Sequence, residues 1–278
     1  MAAVLLALCS AVAFGSLAVT LNFALRRCPD PELGAFATIF AALVPVGIAA
    51  LVRWEWTPGL WPFLLAGLLA PGCSQVFYVV AVRDAGSSRT ALVVGAAPLV
   101  SVTIALIFLN EPASSPLIVG AVLVVGGGVL LARERERPAH LNRIGLVLAF
   151  AGATLFAIRD NLVRHLAVGS TAVPPAVAAA AALLGGTVLI AVWARRGISR
   201  RWLGFLPAGV LFGASYVTLF EAYYRGRVTV VAPLVAIESL VGVGLSALFL
   251  RESELVGKRL VLGALLIVAG GALIGAFR

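Results

Sequence analysis

A chain of 278 residues that is 62% hydrophobic and 12% charged, with a mean hydropathy of +1.08, is not a soluble globular domain. The formal charge of +9 does not signal a nucleic-acid partner, because the arginines stand at the ends of apolar runs, where they orient spans and meet lipid headgroups. Cys9, Cys28 and Cys73 are odd in number and lack metal-ligand spacing, and His140 and His165 are isolated, so neither a disulfide framework nor a metal site is expected, and no cofactor.

Ten apolar runs follow along the chain, at 2–25, 33–52, 60–82, 90–109, 116–132, 144–166, 173–194, 202–224, 228–250 and 261–277. A bilayer is crossed by about 20 apolar residues in a helix or by shorter alternating strands, and these runs have the helical length. The first run has no basic residue before it, so it reads as a span rather than a cleaved leader. The second and third are joined near Trp54, Trp56 and Trp61, which suit a membrane interface, as do Trp193 and Trp202 between the seventh and eighth. Short links such as Cys28-Pro29-Asp30-Pro31 and Asp84-Ala85-Gly86-Ser87-Ser88 make successive helices antiparallel neighbours. The hydrophilic linker RERERPAHLNR, from Arg133 to Arg143, divides the chain into five spans and five. The expected division is a first repeat at 1–133, a basic linker at 134–143 and a second repeat at 144–278.

The halves resemble each other. Sliding one along the other pairs Ser74 with Ser215, Val100 with Val241, Phe108 with Phe249 and Glu111 with Glu252 without a gap. After a two-residue shift, GAVLVVGGGVLL from Gly120 meets GALLIVAGGALI from Gly263. A unit of five crossings brings its second copy in from the opposite side, so the fold expected is all-α, ten transmembrane helices as two inverted five-helix repeats.

Several side chains sit where lipid would disfavour them. Glu238 lies about ten residues, roughly 15 Å of helix, from either end of the ninth run, too deep to reach water. An ionised group there costs several kcal/mol and is a functional-site hypothesis by default. One reading makes it a proton or cation site alternately occupied by substrate; the other makes it a structural acid between helices. Its matched position in the first repeat is Ala97. Pro233 precedes it by about a turn, Pro98 stands in the fourth span and Pro71-Gly72 in the third, and each removes a backbone hydrogen bond. Gly242 shares a face with Glu238, and with Pro98 and Pro233 makes the expected gating and helix-break set.

Arg159, Asp160 and Asn161 come late in the sixth span. They are substrate or coupling-ion candidates: Arg159 and Asp160 point about 100° apart on a helix, so they are not expected to be each other's best partner, and two readings stay open, one of them facing Glu238 across a cavity as an internal ion pair, or Arg159 reaching the interface. Glu221 and Arg225 have the favourable i, i+4 order for a boundary pair. Ser16 and Thr20, Gln75 and Tyr78, and Ser215 and Thr218 recur at helical spacing as path-lining candidates, although Ser and Thr often bond only their own helix, and Tyr78, Tyr216 and Tyr223 are candidates to stack on an aromatic or cationic ligand. Gly126-Gly127-Gly128 and Gly270-Gly271 suit close helix packing.

Each half closes with a Leu-rich span, a Glu, a turn and a Gly-rich span: FLNEPASSPLIVGAVLVVGGG, then FLRESELVGKRLVLGALLIVAGG. This pattern resembles the EamA-like permeases of the drug/metabolite transporter superfamily over nearly the whole chain. The resemblance implies alternating-access transport of a small molecule, usually export of metabolites, amino acids or toxic compounds. The sequence departs from the family pattern at Ser239, which stands where the first repeat has Pro98. The expectation is therefore a multi-pass cytoplasmic-membrane exporter, not an enzyme, acting on a small amphipathic or cationic compound with Glu238 as coupling residue for a proton or monovalent cation. Uncoupled facilitation and lipid flipping stay open, as does a homodimer. The basic residues, Arg89 among them, count in favour of a cytoplasmic linker and outside termini, whereas the resemblance implies cytoplasmic termini.

Overall fold

The structure, a computed structural model, describes residues 1–52, 59–108, 115–132, 142–168, 173–193, 200–250 and 256–276. The linker at 133–141, the two tryptophans at 54 and 56, Glu111 and Glu252 lie outside the described residues, as do the side chains of Pro98 and Pro233. The described residues are helical, without a strand, and eight of the helical stretches are long and apolar enough to cross a membrane.

Two spans are single long helices, α1 (Ala2–Arg27) and α2 (Pro31–Val52), joined across Asp30, whose carboxylate accepts the Leu33 amide at 3.1 Å. The third span is broken. It begins as α3 (Trp61–Gly67), passes through a wide turn at Leu68–Cys73 and resumes as α4 (Ser74–Ala85). Inside that turn Ala70 is extended (φ −145°, ψ 114°), immediately before Pro71, whose ring cannot join the helical ladder.

The fourth span starts sooner than the sequence suggests. Gly86, at φ 86°, reverses the chain in one residue, a conformation open to glycine because it has no Cβ. Ser87, Ser88 and Arg89 therefore belong to α5 (Ser87–Val94) and are fully buried, Ser87 bonding Ser246 at 2.9 Å. The expectation that Arg89 is a headgroup contact in a link is corrected, since the tight turn draws it inside the bundle. A turn at Gly95 and Ala96 separates α5 from α6 (Ala97–Phe108), and α7 (Ser115–Ala132) follows.

The second half repeats this order with α8 (Arg143–Val168), α9 (Pro175–Trp193), a 3-10 turn (Arg200–Phe205) running into an unbroken α10 (Leu206–Arg225), then α11 (Val228–Val235), α12 (Ile237–Phe249) and α13 (Lys258–Ala276). The turn between α11 and α12, at Ala236, occupies the position matched with Gly95. It falls three residues after Pro233, beyond the turn that proline disrupts. Ser239 accounts for it: its hydroxyl and its amide both donate to the Ala236 carbonyl, at 2.7 and 3.0 Å. A serine that captures the carbonyl locally thus stands where the first repeat has a proline.

Helix α1 runs through the middle, against α10, α12 and α11, while α8 packs on α4 and α6. Small residues set these distances. A Cβ on Gly15 would lie 2.6 Å from the Glu238 carbonyl, and one on Gly242 would lie 2.5 Å from the Ala91 Cβ. At one flank α3 and α9 touch backbone to backbone, Gly67 against the Ala182 carbonyl and Gly185 against the Leu64 carbonyl. At the other, α7 and α13 run antiparallel: a Cβ on Gly127 would come within 2.6 Å of the Gly263 carbonyl and one on Gly270 within 2.5 Å of the Gly120 carbonyl. Trp61 and Trp193 are exposed on the outer surface.

Candidate functional site

The charges that the sequence scattered over two spans meet in the interior. Arg159 is 2% exposed and Asp160 is 8% exposed, and their side chains pair, Arg159 Nε to Asp160 Oδ1 at 2.8 Å. The expectations that Arg159 and Asp160 are not partners and that Arg159 reaches the interface are thereby corrected. It does not reach the interface, because aromatic residues receive it: its guanidinium carbon lies 4.7 Å from the Tyr216 ring centre, 5.3 Å from Phe156 and 5.7 Å from Phe220. Adjacent positions on a helix diverge at Cβ, but a folded-back Arg side chain is long enough to close that angle. In a desolvated setting each cation–π contact contributes about 0.5–2 kcal/mol, which offsets part of the guanidinium's lost hydration.

Asp160 is held from a second direction by the Tyr223 hydroxyl, which donates to Oδ2 at 2.7 Å. Asn161 donates from Nδ2 to the Ser101 carbonyl at 3.2 Å and to Ala157 at 2.9 Å, tying α8 to α6. The group is not saturated. Arg159 Nε and Nη1, Asp160 Oδ1 and Asn161 Oδ1 are buried without a well-aligned hydrogen bond among the described residues, so the short Arg159–Asp160 contact is an ion pair more than a directed bond.

Glu238 completes the cluster from α12. It is 5% exposed, lies in that helix's first turn and is near enough to Asp160 and Arg159 to feel both charges. A carboxylate in the first turn of a helix faces the positive end of the backbone dipole. No hydrogen bond or ion pair joins it to another described residue. Tyr78 is buried on α4 with its ring 5.0 Å from Phe14.

Other path-lining candidates sit apart from these charges. Ser16 and Thr20 donate to the Val12 and Ser16 carbonyls of their own helix, and Thr218 to Ala214 and Ser215. Ser215 instead joins α10 to α1 through Ser10, oxygen to oxygen at 2.9 Å. Gln75 donates to Thr38 at 3.1 Å while its Oε1 is left without a partner. Gly242 is a packing contact with α5, as above. The boundary pair of Glu221 and Arg225 forms at 2.7 Å.

Phe156 and Phe220 are the members that sequence reasoning missed, beside Tyr216 and Tyr223, which it offered as stacking candidates without a partner in the protein. Their signal was present as aromatics, Phe156 in the sixth span one turn before Arg159 and the others on one face of the eighth, but nothing in that spacing tells that the eighth span's face meets Arg159. A cleft of about 180 Å³ between α2, α3 and α9, walled by Leu43, Gly47, Leu51, Leu64, Val177 and Leu184 among others, is apolar and away from the charges. It offers a polar ligand nothing, so the charged cluster is the better candidate.

The profile of the EamA-like transporter family matches residues 1–133 and again residues 143–276. The chain belongs to the EamA-like transporter family. That family is part of the drug/metabolite transporter superfamily, and the two matches make this EamA protein a two-repeat, multi-pass membrane transporter. Its curated relatives include the human magnesium transporter NIPA4, 35% identical over 146 residues, a match covering 50% of this chain and 30% of the relative's own length. A solved crystal structure shares the fold with a TM-score of 0.73 at 22% identity, covering 98% of this chain and 95% of the other.

Proposed function

We propose that this transporter carries a small amphipathic or cationic compound outward by alternating access, exchanging it at Glu238 and Asp160 against a proton or monovalent cation. The observation that carries this reading is the charge count of the buried cluster. Arg159 pairs with one of two acids, and no salt bridge joins the second, Glu238, to a base among the described residues. A buried carboxylate without a counter-ion is too unfavourable to persist, so a proton or a cation has to neutralise it. The aromatic faces of Tyr216 and Phe220 suit an organic cation.

The architecture proposed for this cycle is ten spans in two inverted repeats, at 1–133 and 144–278 about a linker at 134–143. Helices α7 and α13 supply the spans beyond the eight long ones. Gly120 and Gly127 match Gly263 and Gly270 in sequence, and each meets the counterpart of the other, 127 against 263 and 120 against 270. A two-fold axis in the membrane plane generates that pattern. The cytoplasmic membrane is the proposed location.

A second reading takes its support from the magnesium transporter relative: the cargo is a divalent cation. Magnesium is held by oxygen ligands and usually one or two carboxylates, which Asp160 and Glu238 would supply, but Arg159 is paired with the first of them. The decisive experiment is uptake into proteoliposomes across an imposed pH gradient, with tetraphenylphosphonium, agmatine and magnesium as probes. The proposal expects proton-driven flux of an organic cation that Glu238→Gln abolishes. Equal flux and equal pH dependence in wild type and variant would refute coupling at Glu238, and flux of magnesium alone would establish the second reading.

A further inference from the structure

Tyr216 touches two things at once. Its ring receives the Arg159 guanidinium at 4.7 Å, and its hydroxyl donates to the Ala70 carbonyl at 2.8 Å. Ala70 is the extended residue at the break of the third span. In a regular α-helix the Ala70 carbonyl would accept from the Ser74 amide, but here that amide turns to the carbonyls of Leu69 and Pro71. A backbone carbonyl deprived of its donor inside a membrane protein needs another, and the Tyr216 hydroxyl, on a side chain 1% exposed, supplies it. The residue matched with Tyr216 in the first repeat is Gln75, which bonds Thr38, and the eighth span has no break like that of the third. The device is thus present in one repeat only.

We infer that Tyr216 is a positioning residue that couples the charged cluster to the bend of the third span. This rests on the reading of Arg159, Asp160 and Glu238 as the transport site. The guanidinium lies against the ring whose hydroxyl holds Ala70, so the order Arg159, Tyr216, Ala70 is a polarised chain in which the first contact strengthens the second. A cation or proton that neutralises Asp160 or Glu238 alters the pull on Arg159. As the guanidinium shifts off the ring, the hydroxyl's hold on Ala70 weakens and the third span is free to straighten. Phe212 and Phe220, at 5.2 and 5.0 Å from Tyr216, keep its ring in one plane, so movement at Arg159 reaches the hydroxyl rather than being absorbed by rotation.

Cys73 lies in the same wide turn, half-buried, and serves as a native reporter. In full-length protein in lipid nanodiscs, with Cys9→Ala and Cys28→Ala removing the other two thiols, maleimide alkylation of Cys73 reads the bend without any substrate. Tyr216→Phe keeps the ring and removes the hydroxyl; losing one such bond predicts alkylation about three- to ten-fold faster. Arg159→Met acts on the same chain, so it should accelerate Cys73 by a similar factor and add nothing to Tyr216→Phe. Cys9, followed alone in the matching Cys28→Ala, Cys73→Ala background, should label at an unchanged rate in every variant, which a general loosening would not allow. A Tyr216→Phe rate within two-fold of the parent, or effects of the two substitutions that multiply, overturns the inference. Because labelling needs no transport, its outcome is independent of the Glu238→Gln uptake test: that test can fail while this coupling stands, and the reverse.

Discussion

Replacing Arg159 by methionine tests the buried cluster most directly. Methionine is long and flexible enough to fill the space between Phe156, Tyr216 and Phe220 and makes favourable sulfur–aromatic contacts of its own, so the change removes charge with little loss of packing. What it leaves behind is Asp160, 8% exposed, held by Tyr223 and without its cation. Stranding one partner of a buried ion pair costs about 3–5 kcal/mol. For a chain of this size each kcal/mol moves the unfolding midpoint by about 2 °C, so Arg159→Met should lower Tm by about 6–10 °C. Asp160→Asn keeps a partner for Tyr223, leaves Arg159 its three rings, and should lower Tm by about half as much. In the double variant neither charge is stranded, and the loss should be smaller than the sum of the singles by about 2 kcal/mol. Thermal unfolding in lipid nanodiscs, followed through the intrinsic tryptophans, measures all four corners of the cycle. A fall below about 2 °C for Arg159→Met, or additive losses in the double variant, would show that the pair does not hold the interior as argued.

Two further outcomes follow from the packing. Gly67→Leu places a side chain against the Ala182 carbonyl of α9, a backbone atom that cannot step aside, so folded yield in detergent should collapse, whereas Gly204→Leu, with open space around it, should be neutral. At the boundary, Arg225→Ala breaks a pair whose Arg side chain is 52% exposed, and the same unfolding assay should show a change of no more than about 0.5 kcal/mol.

Much of the architecture was legible before any coordinates. Long apolar runs have one way to satisfy their backbone in lipid, so the helices followed from hydropathy, and the matched glycines of the fifth and tenth runs announced a packing seam that the structure shows between α7 and α13. Ser10, which closes on Ser215, was invisible as a partner, because its spacing along α1 says nothing about which helix lies opposite. The sequence offered Pro233 as the break of the ninth span, whereas the turn lies at Ala236 and depends on Ser239, a residue noted only as a departure from the proline of the first repeat.

The sequence by itself determined that this chain lives in a bilayer, that it is two related halves, and that Glu238 is an acid too deep to reach water, since each of these follows from composition and position along a helix. Only the tertiary structure decided the company Glu238 keeps. The sixth span folds Arg159 back onto Asp160 instead of outward to the interface, because three aromatic rings from α8 and α10 close around the guanidinium. That closure depends on how α8 and α10 pack against each other, a non-local matter that hydrophobic periodicity cannot encode.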